Sequence, residues 1–415
     1  MKESTLAERI AACGGQLFVV GGWVRDLVRG AEPHDKDYVV TGVREADFQA
    51  AFPHAKKVGK SFPVYLIQIA GKSAEIAFAR KEKKVSAGYR GFSVDYAPTI
   101  TIEEDLFRRD TTMNSMAIAL PQGQWIDPYG GRADIEAKTI RAISAHFLED
   151  PVRALRAARQ AAQFHFTITD DTYAYMKKCE AELMGEPKER IFLELQRALA
   201  ADTPSLFFRA LRRAGLIGVT FPELGALIGK TQPEAFHPEG DAWEHTMDVV
   251  DVVARRAHDL VARFAALVHD IGKGETPAAM LPHHYGHETS GLAVLSAWNE
   301  RMGLPKEWLQ AGLFVIREHM RAPRLSKLGK IAALLLAVDK SALSMESFCA
   351  VIRADHKELP DYLERGREYL SVMQSVRGNE APKSLRGKEI GDWLFAQQVA
   401  ALRQYRAAKN ISPIK

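Results

Sequence analysis

The residue pattern of this chain changes character once, near Arg141, and that break restricts what it can fold into. Before it, short β-branched runs alternate with Gly and Pro: LFVV at 17–20, DYVVTG at 37–42, PVYLIQIAG at 63–71, SAEIAFA at 73–79 and MAIAL at 116–120. Apolar runs of this length, bounded by turn residues, read as strands. After it come long Ala-, Leu- and Arg-rich stretches such as VRALRAARQAAQF and RIFLELQRALA, with few strand signals. The expected fold class is α+β: a head with a small mixed sheet and helices, followed by an all-α remainder. At 415 residues the chain is long enough for several domains. Composition places them at 1–140 (the head), 141–230 (helical), 231–360 (helical and histidine-rich) and 361–415 (a basic helical tail).

Other features narrow the class. Charged residues make up 26% of the chain and hydrophobic ones 47%, which argues against long disordered tracts. The opening MKESTLAERI has no apolar segment of a secretory signal, and the aliphatic run around Ile331–Val338 is far shorter than the ~20 residues of a membrane span. Cys13, Cys179 and Cys349 are widely spaced and odd in number, which disfavours a disulfide framework or a cysteine zinc site. A cytoplasmic protein with no membrane partner is expected.

In LFVVGGWVRD a strand runs directly into Gly21-Gly22 and then into a helix start carrying Arg25. Glycines there let backbone N–H groups approach phosphate oxygens, and the helix N-terminus favours the anion. Alone, this is equally an ordinary turn with a surface arginine. About ten residues on, HDKDYVV leads into the next strand. Residues i and i+2 of a strand share a face, so Asp35 and Asp37 would stand side by side and call for a cation between them. Mg²⁺ prefers such oxygen ligands together with substrate phosphates. Glu75, in SAEIAFA, is a third carboxylate candidate or else a lone exposed glutamate. Further on, EEDLFRRDTTMNSMA at 103–117 is dense in charge and then turns apolar.

Taken in order, GGWVRD, HDKDYVV, EIAFARKEKK with GYRGF, EEDLFRRDTTMNSMA, IDPYGG, EDPVRALRAARQ and KERIFLEL make the chain resemble the bacterial tRNA nucleotidyltransferases over residues 17–199. These are the CCA-adding enzymes, of the class shared with bacterial poly(A) polymerases. Trp23, where a small residue is usual, and Ser115, where alanine is usual, depart from the pattern. The resemblance implies a nucleotidyltransferase head, with Asp35, Asp37 and Glu75 catalytic, Mg²⁺ on Asp35 and Asp37, and Gly21, Gly22, Arg25 and Arg109 holding the incoming nucleotide. A helix starting near Pro151 would put Arg153, Arg156 and Arg159 in one inclined row. By the resemblance Asp150 and Arg153 present acceptor and donor groups to a base edge while Arg156 and Arg159 face phosphates; a solvated basic face is the other reading. Glu189 and Arg190 would brace the helical neck over 141–230, or form an ordinary helix-start pair.

Nine of thirteen histidines fall between His237 and His356. WEHTMDVVDVVARRAHDLVARFAALVHDIGKG reads as a helical stretch ending at glycines, with His245 early and His269-Asp270 at its end. Imidazoles and carboxylates together suit Mn, Ni, Zn or Fe. The arrangement over 237–356 resembles the HD-superfamily phosphohydrolases. That resemblance implies His245, His269, Asp270 and Asp355 as ligands of a metal such as Ni²⁺ or Mn²⁺, and His287 and His319 as supporting or phosphate-binding groups. The implied activity is addition of CCA to tRNA from CTP and ATP, with hydrolysis of phosphoesters such as 2′,3′-cyclic phosphates. Alternatives are a partial CC- or A-adding enzyme, a poly(A) polymerase, or a phosphohydrolase with an inactive head. Monomer and homodimer both fit.

Overall fold

A computed structural model describes residues 1–58, 62–85, 91–234 and 238–411. Gly88, Tyr89 and Arg90 of the GYRGF motif, and His237, lie outside the described residues. The chain forms two compact units, one of residues 1–195 and 206–220, the other of 196–205 and 221–415.

The first unit carries strands β1 (Gln16–Val20), β2 (Asp37–Thr41), β3 (Lys56–Lys57), β4 (Val64–Ile69), β5 (Lys72–Phe78), β6 (Lys81–Lys84), β7 (Phe92–Asp95), β8 (Ala117–Leu120) and β9 (Gln124–Ile126). Seven make one sheet in the order β3-β4-β5-β2-β1-β8-β9, and β6 and β7 form a separate hairpin. Among the described residues of the large sheet, only β2 and β5 pair in parallel. In that ladder Asp37 is partnered with Glu75, and across β1 it is partnered with Val20. One end of the sheet thus gathers two acids and the Gly21-Gly22 turn. Both faces are covered. Phe18, Val20, Val39, Ala117 and Ala119 pack with Ile102 and Leu106 on one side, and Phe48, Phe52, Tyr65 and Phe78 form an aromatic cluster on the other.

Two expectations for this unit need correction. Asp35 is not on a strand. It sits in the bend before β2 with φ 47, a left-handed backbone that aspartate tolerates better than most residues. The stretch 167–171 is also more than a break between helices, because Thr167–Ile168 pairs in parallel with Thr139–Ile140. The helix expected at Pro151 runs from Val152 to Phe164 and buries Ala154, Leu155, Ala157, Ala158, Ala161 and Ala162.

The described residues of the second unit are helical apart from connecting turns and one isolated β-bridge, Thr231 with Asp241. The stretch from Trp243 to Gly274 is not continuous. It forms helices Ala242–Arg256 and Leu260–Val268 and then a short 3₁₀ turn, Ile271–Glu275. The break falls where Asp259 takes over as cap, its side chain accepting from the Val261 N–H. Helices His287–Met302, Lys306–Glu318, Leu328–Asp339 and Met345–His356 follow, and the basic segment ends in helix Lys388–Ala408. Val249, Ala265, Ala311, Val315, Leu335, Phe348 and Tyr369 share one core. No helix among the described residues is long and apolar enough to cross a membrane.

Candidate active sites

In the first unit, β1 ends in Gly21 with φ 72, and helix Gly22–Val28 starts immediately after it. A Cβ on Gly21 would stand 3.0 Å from Arg109 Nη1. The backbone conformation calls for glycine here, and an added Cβ would also press on the guanidinium lying against it. Arg109 is held by Asp105, whose Oδ2 accepts from Nη2 at 3.1 Å, and its buried Nε has no hydrogen-bond partner. Arg25 donates to Asn114 Oδ1 at 2.8 Å and forms a two-pronged pair with Asp26 at 3.0 and 2.8 Å.

These groups line a cavity of about 490 Å³ together with Asp37, Asp150, Arg153, Arg156 and Arg159. Half of its lining residues are arginines, set among the acids Asp37, Glu82, Asp110 and Asp150, and the buried Arg109 Nε has no hydrogen-bond partner. That is the chemistry of a polyphosphate site. A second cavity of about 750 Å³ is lined by Asp35, Asp37 and Glu75. Asp37 borders both, so it stands where a phosphate chain and a cation would meet. Its burial raises its pKa, and although Arg109 works against this, the neighbouring charges of Glu75 and Asp35 push it higher still. A divalent cation would relieve that repulsion, although among the described residues Asp35, Asp37 and Glu75 do not gather their oxygens as closely as the histidine and aspartate groups of the second unit do. Lys36, between the two aspartates, does not neutralise them. It bonds Glu3 at 2.8 Å and lies over the Trp23 ring at 4.4 Å.

The four residues at the start of helix Val152–Phe164 reach the cavity, but not as an unpaired basic row. Asp150 accepts twice from Arg190 Nη2, at 3.0 and 2.8 Å. Buried Arg153 donates to the carbonyls of His146 and Arg108, at 2.5 and 2.7 Å. Arg156 pairs with Asp110 at 2.8 Å, and Arg159 with Glu194 at 2.5 Å. Arg156 and Arg159, expected to face phosphates, both line the cavity, and each has a carboxylate partner. Of the expected bracing pair, Arg190 joins Asp150 to Glu186, whereas Glu189 is exposed.

Asp110 was missed by the sequence reading. It is 3% exposed and accepts from Thr111 N–H, Asn114 Nδ2, Gln160 Nε2 and Arg156 Nε. It connects Arg156 through Asn114 to Arg25. Burial alone would raise its pKa, but Arg156 and the hydrogen bonds from Asn114 and Thr111 hold it far below the usual carboxylate range. Its position in the RRD run, four residues before Asn114, was the available signal.

In the second unit the histidines converge from helix ends. His245 lies in the first turn of Ala242–Arg256, His269 and Asp270 follow Leu260–Val268, and His287 opens its own helix. His319 closes Lys306–Glu318, and Asp355 is next to last in Met345–His356. Gly272 makes the convergence physically possible. A Cβ there would fall 2.0 Å from the His287 carbonyl and 2.4 Å from the Gly291 N–H. His245 Nε2 is 3.1 Å from Asp355 Oδ1 and 3.3 Å from His269 Nε2, and His269 Nε2 is 3.2 Å from Asp270 Oδ2. His245 Nδ1 donates to Glu239 at 2.6 Å, and His269 Nδ1 to the Ala266 carbonyl at 2.7 Å. Such contacts turn each Nε2 toward the carboxylates, as metal-binding histidines require. Burial would lower the His245 pKa, but Asp355 and Glu239 push it up to about 9, another sign of a pocket that demands positive charge. Neither oxygen of Asp270 receives a well-aligned hydrogen bond, although Lys273 Nζ lies 2.6 Å from Oδ2. The set His245, His269, Asp270 and Asp355 fits a borderline divalent metal. Lys273 and Glu239 were not anticipated; only the DIGK run hinted at the lysine.

Comparison with known proteins agrees with this division. The Poly A polymerase head domain matches residues 17–141, a probable RNA-binding segment of polymerase A matches 165–227, and the HD domain matches 242–369. The solved CCA-adding enzyme of Bacillus stearothermophilus in complex with CTP shares the fold, with a TM-score of 0.67 at 21% identity over 98% of this chain and 94% of that one. A multifunctional CCA protein of Cupriavidus metallidurans is 43% identical over 76% of this chain and 78% of its own. One from Nitrosococcus oceani is 38% identical over 94% of this chain and 98% of its own length. With likeness at that level along nearly the whole of both proteins, the chain belongs to the multifunctional CCA protein family.

Proposed function

We infer that this protein is a CCA tRNA nucleotidyltransferase, building and repairing the 3′-terminal CCA of tRNA from CTP and ATP in the cytoplasm. The observation that carries the reading is Asp37, shared between a guanidinium-lined cavity and an acid-lined one at the end of β1 and β2. Arg25 and Arg109 bind the triphosphate, with Gly21 and Gly22 giving the backbone close approach. Asp35 and Asp37 would hold Mg²⁺, with Glu75 as the third carboxylate beside them, and the ion would supply a lowered pKa for the attacking ribose 3′-hydroxyl and charge neutralisation for the triphosphate. The new bond joins the 3′-oxygen to the α-phosphorus, the bond to pyrophosphate breaks, and the hydroxyl proton leaves to solvent. Asp150, set by Arg190, and Arg153, set by two carbonyls, present an acceptor and a donor to the base edge. Arg156 and Arg159, each held by a carboxylate, line the adjoining wall within reach of the nucleotide's phosphates. The organisation we propose is a catalytic head over 1–140, a neck over 141–230, a phosphohydrolase domain over 231–360 and a basic tail over 361–415.

The test is incubation with tRNA ending at the discriminator base, with CTP, ATP and Mg²⁺, read at one-nucleotide resolution. Growth by three nucleotides is expected, and Asp37→Ala should stop it while tRNA binding persists. No growth, or growth in the Asp37→Ala protein, overturns the reading. The second unit is read as a metal-dependent phosphohydrolase acting on 2′,3′-cyclic phosphates, with Ni²⁺ or Mn²⁺ on His245, His269, Asp270 and Asp355. His269→Ala should remove that hydrolysis and leave nucleotide addition in place; hydrolysis that survives His269→Ala overturns this part.

A further inference from the structure

We propose that the first unit carries a second nucleotide site, which takes a nucleoside monophosphate with its base against Phe164 and Phe166 and its phosphate on Arg29, Arg132 and Lys138. The site shares no lining residue with the triphosphate cavity, and it depends on neither catalytic reading.

The site is a cavity of about 570 Å³, inside the range of pockets that hold small organic ligands. Three helices build it. Arg29 follows helix Gly22–Val28, Arg132 stands in helix Gly131–Glu136, and Phe164 closes helix Val152–Phe164. Two turns complete the wall. Lys138 and His165 both take left-handed backbone, with φ 52 and 55, and the Thr167 N–H donates to the Lys138 carbonyl at 2.9 Å. Lys138 and Phe166 are thereby held at the same end of the short ladder between Thr139–Ile140 and Thr167–Ile168.

The lining supplies both halves of a nucleotide's chemistry. Phe164 and Phe166 are partly exposed, with ring centroids 5.9 Å apart, and Arg29 lies over them at 4.1 and 6.0 Å. Aromatic faces beside a guanidinium are surfaces on which a base stacks. Around the same cavity Arg29, Arg132 and Lys138 stand against one carboxylate, Glu136. Arg29 shares its partner Asp26 with Arg25, and among the described residues Arg132 and Lys138 have no carboxylate partner. This excess of positive charge matches a phosphomonoester, at about −1.5 to −2, better than the single charge of an internal RNA phosphate. Phe164 also carries Arg25 of the triphosphate cavity at 4.6 Å, so the two cavities meet at one ring.

The test is photolabelling of the full-length protein with 8-azido-AMP in EDTA, which keeps both catalytic sites free of metal. Label is expected on tryptic peptides 133–138 and 160–177, which contain no residue of the triphosphate cavity. AMP should protect them at concentrations at least about tenfold lower than ribose 5-phosphate, which lacks the base, or ApApA without a terminal phosphate. Phe166→Ala and Lys138→Glu should each raise the AMP concentration for half-protection about tenfold while the thermal melt stays at the parent value. Arg132→Gln, at an exposed position, replaces either variant that does not fold. Label confined to other peptides, or label that these variants leave unchanged, overturns the site. Equal protection by ribose 5-phosphate shows an anion site without base recognition and overturns the proposal. Equal protection by ApApA assigns the cavity to an RNA strand and overturns the monophosphate.

Discussion

Replacing Gly272 with alanine should damage the hydrolytic site without touching nucleotide addition. Its new methyl group would lie 2.0 Å from the His287 carbonyl and 2.4 Å from the Gly291 N–H, where ordinary contact begins at 3.4 Å. Both neighbours are backbone of helix His287–Met302, so no side chain can swing aside. The helix start must retreat by roughly 1 Å or more, and such overpacking typically costs about 1–3 kcal/mol. His287 travels with it. Metal sites tolerate ligand shifts of only about 0.2 Å, so the 3.3 Å spacing between His287 and Asp270 would open well beyond use. Loss of one supporting group weakens metal affinity about 10–100-fold, or about 1.4–2.8 kcal/mol. Hydrolysis of a cyclic phosphate over a range of Mn²⁺ concentrations should shift its half-saturation upward by that factor, while CCA addition by the same preparation stays at the parent rate. Gly303→Ala is the control. It lies at the other end of the same helix with φ 67, and a Cβ there meets nothing within 4 Å, so only backbone strain of about 1–2 kcal/mol is added. Gly272→Ala protein with parent metal dependence would refute the packing argument.

Asp110→Asn removes the charge facing Arg156, whose side chain is 42% exposed and so can turn to water; the loss should be about 1.5–3 kcal/mol, as for a hydrogen bond to a charged group, visible in urea unfolding followed through Trp23 and Trp125. The same variant tests a pH dependence. Because the folded pKa of Asp110 lies below its unfolded value, its contribution is full above about pH 4 and disappears as pH falls, so parent and variant stabilities should converge in acid. Arg190→Lys keeps the charge but not the two-pronged grip on Asp150; misincorporation of UTP or GTP should rise at least severalfold while the rate with CTP falls less. Gly21→Ala adds the strain of a positive-φ backbone that side chains avoid, and a contact at 3.0 Å to Arg109, and should raise the KM for both CTP and ATP about tenfold or more; equal effects on the two nucleotides identify a phosphate rather than a base contact.

Much of this molecule could be read from the order of its residues. The strand before Gly21-Gly22, the strand beginning at Asp37 and the helix after Pro151 all follow from local signals of turn, alternation and capping. What escaped was non-local. Nothing near Glu75 says that β5 runs parallel to β2 and in register with Asp37. Nothing near Arg156 announces Asp110, 46 residues earlier. Asp35 was misplaced for a local reason: alternation treats two aspartates two apart as strand neighbours, whereas the chain bends into the left-handed region before the strand starts. Likewise the apolar period through 243–274 continues across a helix break that depends on Asp259 as a cap.

The single parallel pairing in the large sheet has a practical corollary. Asp37 and Glu75 meet through the β2–β5 ladder alone, and the chain between them makes an outward excursion through β3 and β4 that ends at the tight bend Ala70-Gly71, with φ 50 and 82. Ala70 lines the same cavity as Asp35, Asp37 and Glu75, and its N–H donates to the Met1 carbonyl at 2.9 Å. A peptide inserted at that bend, remote in sequence from Asp37, would therefore intrude on the acidic site itself.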